Sequence, residues 1–217
     1  MSDALKPALD AIRQLYAAQN IRTTRMGFGR KAAVLVVDFQ HLYTRGRAST
    51  GLGAVEATAT LLKAARETGL RAIYTVVAYE PGDEDRVLWP RKLPGLLDNR
   101  VDAEAVQVDP LVAPQPGDTV IEKKAASAFL HTGLAEELRE EGVDTLLVCG
   151  TSTSGCVRAS VVDGMGHDIR MIVVKECVSD RSDLLHEIAL FDMGSKYADL
   201  MTLEDALAAL RAMKQAA

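Results

Sequence analysis

Residues 32–38 read Ala-Ala-Val-Leu-Val-Val-Asp, a continuous apolar run closed by a single acidic residue. A strand with one solvated face alternates apolar and polar positions, whereas an unbroken run suits a strand covered on both faces, as in parallel sheets. The same kind of element recurs at 70–78, 119–122, 143–149 and 169–174, with a weaker version at 198–202. Helical patterns separate them. Residues 54–68 put Leu61, Leu62 and Ala65 on one face and stop at Gly69, and residues 132–141 stop at Gly142. After Thr202, whose hydroxyl can cap the turn ahead of Asp205, a last helix aligns Leu203, Ala206, Leu207, Leu210 and Met213. Near the start, Leu5, Leu9, Ile12 and Tyr16 mark an amphipathic helix over 3–16. Alternating strands and helices predict an α/β fold in three layers, a parallel sheet between helices. Right-handed crossovers then bring the loops at the strand C-termini to one functional edge.

The 217 residues suit one domain overall, with 1–30 as helix and lead-in and 31–217 as the sheet domain. With 48% hydrophobic and 25% charged residues the chain is neither disordered nor collagen-like, and a net charge of -5 lacks the basic excess of a nucleic-acid binder. Its apolar runs fall far short of the roughly 20 residues that cross a bilayer. Asp3 comes early, with no unbroken apolar core before a small-residue cleavage site, so the expected setting is cytoplasmic and the expected partner a small molecule. Three cysteines form neither a disulfide framework nor a zinc-ligand pair, and the four histidines show no metal-ligand spacing. Gly27-Phe28-Gly29 precedes its strand and Gly51-Leu52-Gly53 lacks a third glycine, so both read as turns, not dinucleotide fingerprints. Neither a cofactor nor a metal is expected. The stretch 79–115, with Pro81, Pro90, Pro94, Pro110, Pro114 and the lone Trp89, is long enough to be a functional cover.

Three polar residues stand at the ends of apolar strands on the functional edge: Asp38 after the first, Lys123 after the third and Cys156 just beyond the fourth. Cys156 follows Gly-Thr-Ser-Thr-Ser-Gly, small residues that let the backbone turn sharply into a helix. Unpaired amides and the helix dipole there favour a thiolate, and a nearby lysine would favour it further. Taken singly each residue has a bland reading: Cys156 as a small buried side chain, Asp38 as a turn cap, Lys123 and Lys124 as a solvated pair. Cys149, inside a strand, and Cys177, just past one, read as structural. The combination is sharper than its parts.

The segments MGFGRKAAVLVVDFQHLYT (26–44), VIEKKAASAFLHTGLAEEL (120–138), GVDTLLVCGTSTSGCVRASVVDG (142–164), VKECVSDR (174–181) and HEIALFDMGSKYADL (186–200) together resemble the isochorismatase-like cysteine hydrolases of the N-carbamoylsarcosine amidohydrolase type. The resemblance runs from Met26 to about Leu207. It implies a six-stranded parallel sheet of order 3-2-1-4-5-6 and a catalytic set of Asp38, Lys123 and Cys156. Lys123 is chosen over Lys124 because it stands six residues before Phe129 of the SAF segment. A non-proline cis peptide just before Thr153 is implied, as is an oxyanion hole from the N–H groups of Thr153 and Cys156, with Thr153 and Arg181 contacting substrate. Arg181 matches the arginine that receives a substrate carboxylate; its bland alternative is an ion pair with Asp180 or Asp183. The related nicotinamidases carry an Asp and His metal cluster after the second strand, where this chain reads TVVAYEPGDEDRVLWP without histidine, which disfavours the metal-dependent branch.

The implied reaction is acyl transfer in two halves. Asp38 accepts the thiol proton, Lys123 and the helix terminus stabilise the thiolate, and Cys156 attacks an amide or ureido carbonyl with loss of ammonia. The alternatives are a maleamate-type amidase, an isochorismate-type vinyl ether hydrolase, and a non-catalytic scaffold on the same fold. Apolar faces on the terminal helices suggest a homodimer or homotetramer.

Overall fold

The computed structural model describes residues 5–21 and 23–216. Its strands are β1 (Ala32–Val37), β2 (Ala72–Val77), β3 (Thr119–Lys123), β4 (Thr145–Thr151), β5 (Arg170–Ser179) and β6 (Asp199–Met201). They pair in parallel in the order β3-β2-β1-β4-β5-β6, the expected topology. The longer helices are α1 (Leu5–Ala18), α2 (Gly53–Glu67), α3 (Leu134–Glu141), α4 (Arg158–Gly166), α5 (Asp183–Lys196) and α6 (Leu203–Ala216). None of the described helices is long and apolar enough to cross a membrane.

β1 shows why its run has no polar break. Ala33, Leu35 and Val37 point into a core with Leu134 and Leu138 of α3, Val161 of α4 and Met193 of α5. Val34 and Val36 point the opposite way, into a second core with Val55, Leu61 and Leu62 of α2 and Ala206 and Leu210 of α6. All are fully or almost fully buried, and each large aliphatic side chain so placed contributes roughly 1.5–3 kcal/mol. β3 lies at the sheet edge, and there Val120 and Glu122 face solvent.

One boundary departs clearly from expectation, and one helix is not marked by its sequence period. β5 runs on to Ser179, past the expected end at residue 174, because the β4–β5 register shifts between Val148 and Gly150. Lys175 and Glu176 are carried outward, and Cys177 and Val178 return to the sheet. Helix α5 has no clean stripe: Ala189, Leu190 and Met193 are buried, but Leu184, Leu185 and Ile188 are exposed, which blurs its period.

The lead-in is tied to the sheet. The Met26 and Gly27 amides donate to the Asp199 carboxylate, and Gly29 N–H donates to Thr145 Oγ1 at 2.9 Å. A Cβ on Gly29 would sit 2.3 Å from Asp144 Oδ1, so this glycine serves a close approach. Of the expected N-terminal helix, residues 3 and 4 lie outside the described residues; α1 packs through Leu9 and through Tyr16, whose ring centroid is 5.8 Å from that of Phe191. The 79–115 stretch is built of short helical turns. It is pinned by Gln40, whose Nε2 donates to Asn99 Oδ1 (2.7 Å) and Val77 O (3.1 Å) and whose Oε1 accepts from Val77 N (2.7 Å). Asn99 Nδ2 in turn donates to Tyr43 OH at 2.8 Å, closing a satisfied buried polar network.

Candidate active site

Asp38, Lys123 and Cys156 converge above the C-terminal ends of β1, β3 and β4. Asp38 is the residue after β1 and has φ of 54°. That left-handed conformation costs a non-glycine residue about 1–2 kcal/mol, and short polar Asp tolerates it better than most. Its backbone N–H donates to Thr75 O (3.0 Å), its Oδ1 accepts from Thr75 Oγ1 (2.7 Å), and its Oδ2 accepts from Lys123 Nζ (2.8 Å). Thr75 belongs to β2, so the intervening strand supplies the bond that fixes the carboxylate. Lys123 ends β3, is 2% exposed, and also donates to Ala125 O at 3.0 Å, with its Nζ 5.8 Å from the centre of the Trp89 ring. Lys124 turns outward to Asp83 (2.7 Å) and Glu80 (3.6 Å). The solvated reading therefore fits Lys124 and not Lys123.

Cys156 lies in the turn Thr153–Val157 between β4 and α4. Two glycines make that turn possible. A Cβ on Gly150, whose φ is 128°, would fall 2.1 Å from Val37 O, and Gly155 breaks the helical backbone just before Cys156 with φ -111° and ψ -107°. The cis peptide is Thr151-Ser152, one residue earlier than expected, because β4 extends to Thr151 and the chain bends where the strand ends. The SAF segment ties the exit of β3 to this turn: Ala128 N donates to Ser160 Oγ (2.9 Å), which itself donates to Cys156 O (2.7 Å).

The thiol of Cys156 lies in the electrostatic field of both Asp38 and Lys123. Its electrostatics correct the expected thiolate. Burial is the largest influence and pushes the thiol up, the Asp38 carboxylate pushes the same way, and the pull of Lys123 does not overcome them. Burial works against the Lys123 charge too, but Asp38 and Cys156 hold its pKa above the ordinary lysine value. The thiol thus stands near Lys123 and near Asp38, the group to which it can give its proton. Cys149 and Cys177 are fully buried and face each other and Thr58, as structural thiols do.

Cys156 and Asp38 form the floor of a cavity of about 780 Å3 whose walls include Tyr43, Arg181 and, from the 79–115 cover, Trp89, Leu93 and Leu96. Arg47 and Asp98 pair at its rim. The Arg181 guanidinium lies 5.9 Å from the Tyr43 ring centre. Among the described residues no carboxylate is within 4 Å of it. Asp180 instead accepts from Ser154 and from the Arg181 backbone, so the ion-pair alternative is not what the structure contains. Thr153 is fully buried, and its Oγ1 lies 2.8 Å from His186 Nδ1, so its side chain faces protein. Among the described residues no group of three or more His, Cys, Asp or Glu side chains is placed to hold a metal.

Sequence reading did not single out Tyr43, Gln40 or His186 for the site. Tyr43 had one usable signal, its place in the loop after β1 on the functional edge. Gln40 and His186 had none, since their partners are 59 and 33 residues away.

Residues 32–205 match the isochorismatase domain. The chain belongs to the isochorismatase family. It is 45% identical over 204 residues to a maleamate amidohydrolase of Pseudomonas putida, covering 89% of this chain and 93% of that one. It is 29% identical over 224 residues to an N-carbamoylsarcosine amidase of an Arthrobacter species, covering 99% and 84%. A cysteine hydrolase of Pseudomonas syringae superposes with a TM-score of 0.83 at 21% identity, over 88% of this chain and 99% of that chain, a likeness of fold. Within the isochorismatase-like hydrolases, then, the expected family and fold both stand.

Proposed function

We propose that this protein is a cysteine amidohydrolase releasing ammonia from a small amide that carries a carboxylate. The observation that carries the reading is the buried Lys123–Asp38 pair beside the Cys156 thiol, on the floor of a cavity that also presents Arg181, which has no carboxylate within 4 Å among the described residues. Asp38 takes the Cys156 proton as Sγ attacks the amide carbon, and Lys123 balances the charge. The negative oxygen of the tetrahedral intermediate faces the amides of Ser152, which follows the cis peptide and lines the cavity, and of Cys156; those of Ser154, Gly155 and Val157 are engaged by Asp180 and by Ser152 O, and Thr153, expected in this role, is fully buried away from the cavity lining. Asp38 returns its proton to nitrogen as the C–N bond breaks, so ammonia leaves and an acyl-thioester remains. Asp38 then takes a proton from water, which attacks the thioester carbon, and the sulfur leaves with that proton restored.

Between the two substrate types, the 45% identical relative favours a maleamate-type amide over the N-carbamoylsarcosine type. Ammonia release from maleamate, N-carbamoylsarcosine and nicotinamide, measured beside pyruvate release from isochorismate, tests this. Turnover of isochorismate alone would replace the amidase reading with vinyl ether hydrolysis.

Arg181 is assigned to the carboxylate, which its planar guanidinium can bind through two hydrogen bonds. Arg181→Ala is expected to lower kcat/KM by at least about tenfold, about 1.4 kcal/mol, on the carboxylate substrate. The loss should vanish on an uncharged ester or amide analogue of the same size; equal losses on both would make the residue structural. The reaction proposed uses no metal, and dialysis against a chelator is expected to leave turnover unchanged. Activity lost on dialysis and restored only by zinc, iron or manganese would place the chain in the other branch. We also propose a homodimer or homotetramer, supported by Ile12 and Leu15 of α1, which remain 39% and 51% exposed. A monomeric mass by light scattering would reject it.

A further inference from the structure

The connection from β5 to α5 carries more than the cavity arginine. Asp180 Oδ2 accepts from both the backbone N–H (2.8 Å) and the hydroxyl (2.7 Å) of Ser154, while Oδ1 accepts from Arg181 N–H (2.8 Å). Six residues on, the His186 ring bonds the hydroxyl of the fully buried Thr153. Two successive residues of the turn that leads to Cys156 are therefore held by side chains of one segment, and Arg181 stands between the two anchors. The turn already closes on itself, since the Gly155 and Val157 amides share Ser152 O at 2.9 and 3.2 Å. The bonds from Asp180 and His186 fix its orientation relative to the cavity, a separate matter from its internal shape.

We propose that Asp180 and His186 are positioning residues that latch the turn at Thr153 and Ser154, so that its amides and Sγ hold one geometry toward a substrate gripped by Arg181. The inference rests on the amidase reading above. A carboxylate acceptor makes a shorter and roughly twice stronger bond to an N–H than a neutral one does, and fixing Ser154 N–H fixes the peptide plane joining it to Thr153. An oxyanion hole works only if its donors meet the developing charge at about 2.7–3.1 Å, a tolerance that a small rotation of the whole turn exceeds, and the plane held by Asp180 lies midway along that turn. Because Asp180 and Arg181 are adjacent, the carboxylate anchor and the amide anchor move as one piece.

The test compares wild type, Asp180→Ala, Asp180→Asn and His186→Ala on the best substrate of the ammonia panel, with iodoacetamide labelling to count intact Cys156 sites. Asp180→Ala is expected to lower kcat at least about tenfold with KM changed less than about threefold and with full labelling. Asp180→Asn, whose amide oxygen still accepts from Ser154 N–H, should recover most of that kcat. His186→Ala should show a smaller kcat loss of the same kind. If Asp180→Ala does not fold, the partly exposed His186 carries the test by the same criteria. Wild-type kcat in the folded variants, or a loss confined to KM, overturns the latch. A wild-type protein that releases ammonia from none of the panel overturns the amidase reading and the latch together.

Discussion

Replacing Cys156 with alanine is expected to abolish amide turnover, lowering kcat/KM by at least about a thousandfold while the fold survives. The size of the effect follows from the placement of the sulfur. Cys156 is the one of the three thiols that opens into the cavity, while Cys149 and Cys177 are sealed in the sheet core and cannot substitute. Without it the reaction must run by direct attack of water, with Asp38 as base, on an amide whose leaving group is poor. Cys156→Ser should fare little better, because a serine hydroxyl is far less acidic than a thiol and Asp38 would have to remove a less available proton. Thermal unfolding of Cys156→Ala should lie close to that of wild type, since the lost sulfur borders an existing cavity and no ion pair is broken. An alanine variant with the wild-type rate of ammonia release would remove covalent catalysis from the account.

Breaking the buried pair should cost both activity and stability, and the two costs can be separated. Lys123→Met leaves the Asp38 carboxylate buried with the Thr75 hydroxyl still donating to it and no neighbouring cation to balance its charge. Removing one member of a buried pair costs about 3–5 kcal/mol of stability, and the stranded group escapes the penalty by staying protonated. A protonated Asp38 cannot take the thiol proton, so turnover should fall nearly as far as in Cys156→Ala, as for members of a cooperative set. Asp38→Asn strands the ammonium in the same way. The double variant Asp38→Asn/Lys123→Met removes both charges and should regain most of the lost stability, with asparagine suited to the left-handed backbone, yet remain inactive. A double variant that is stable and active would make the pair structural. The sign with pH follows from the raised Lys123 pKa. The contribution of the pair is complete below the ordinary lysine value and is lost only as pH rises through the raised one.

Much of this was legible in the chain because the deciding features are local. An unbroken apolar run means two covered faces, and a polar residue at its end means the functional edge, so Asp38 and Lys123 could be placed without tertiary information. The glycine-led turn before Cys156 was legible for the same reason. What was hidden depends on depth or on distance along the chain. The helix start favours a thiolate, but burial and the Asp38 carboxylate raise the Cys156 thiol, and neither can be read from the residues next to it in sequence. From sequence β5 ends at its first charged residues, because the register shift that accommodates them exists only in the paired sheet. The Asp180 and His186 bonds to the Cys156 turn span 26 and 33 residues and leave no periodic trace.

Intact-mass measurement of protein quenched at low pH during turnover tests the central claim most directly. With a maleamate-type amide, the account predicts an added mass equal to the substrate acyl group, mapped by peptide digestion to Cys156 and missing from Cys156→Ala. Ammonia released without any adduct on Cys156, or with the adduct on another residue, would contradict it.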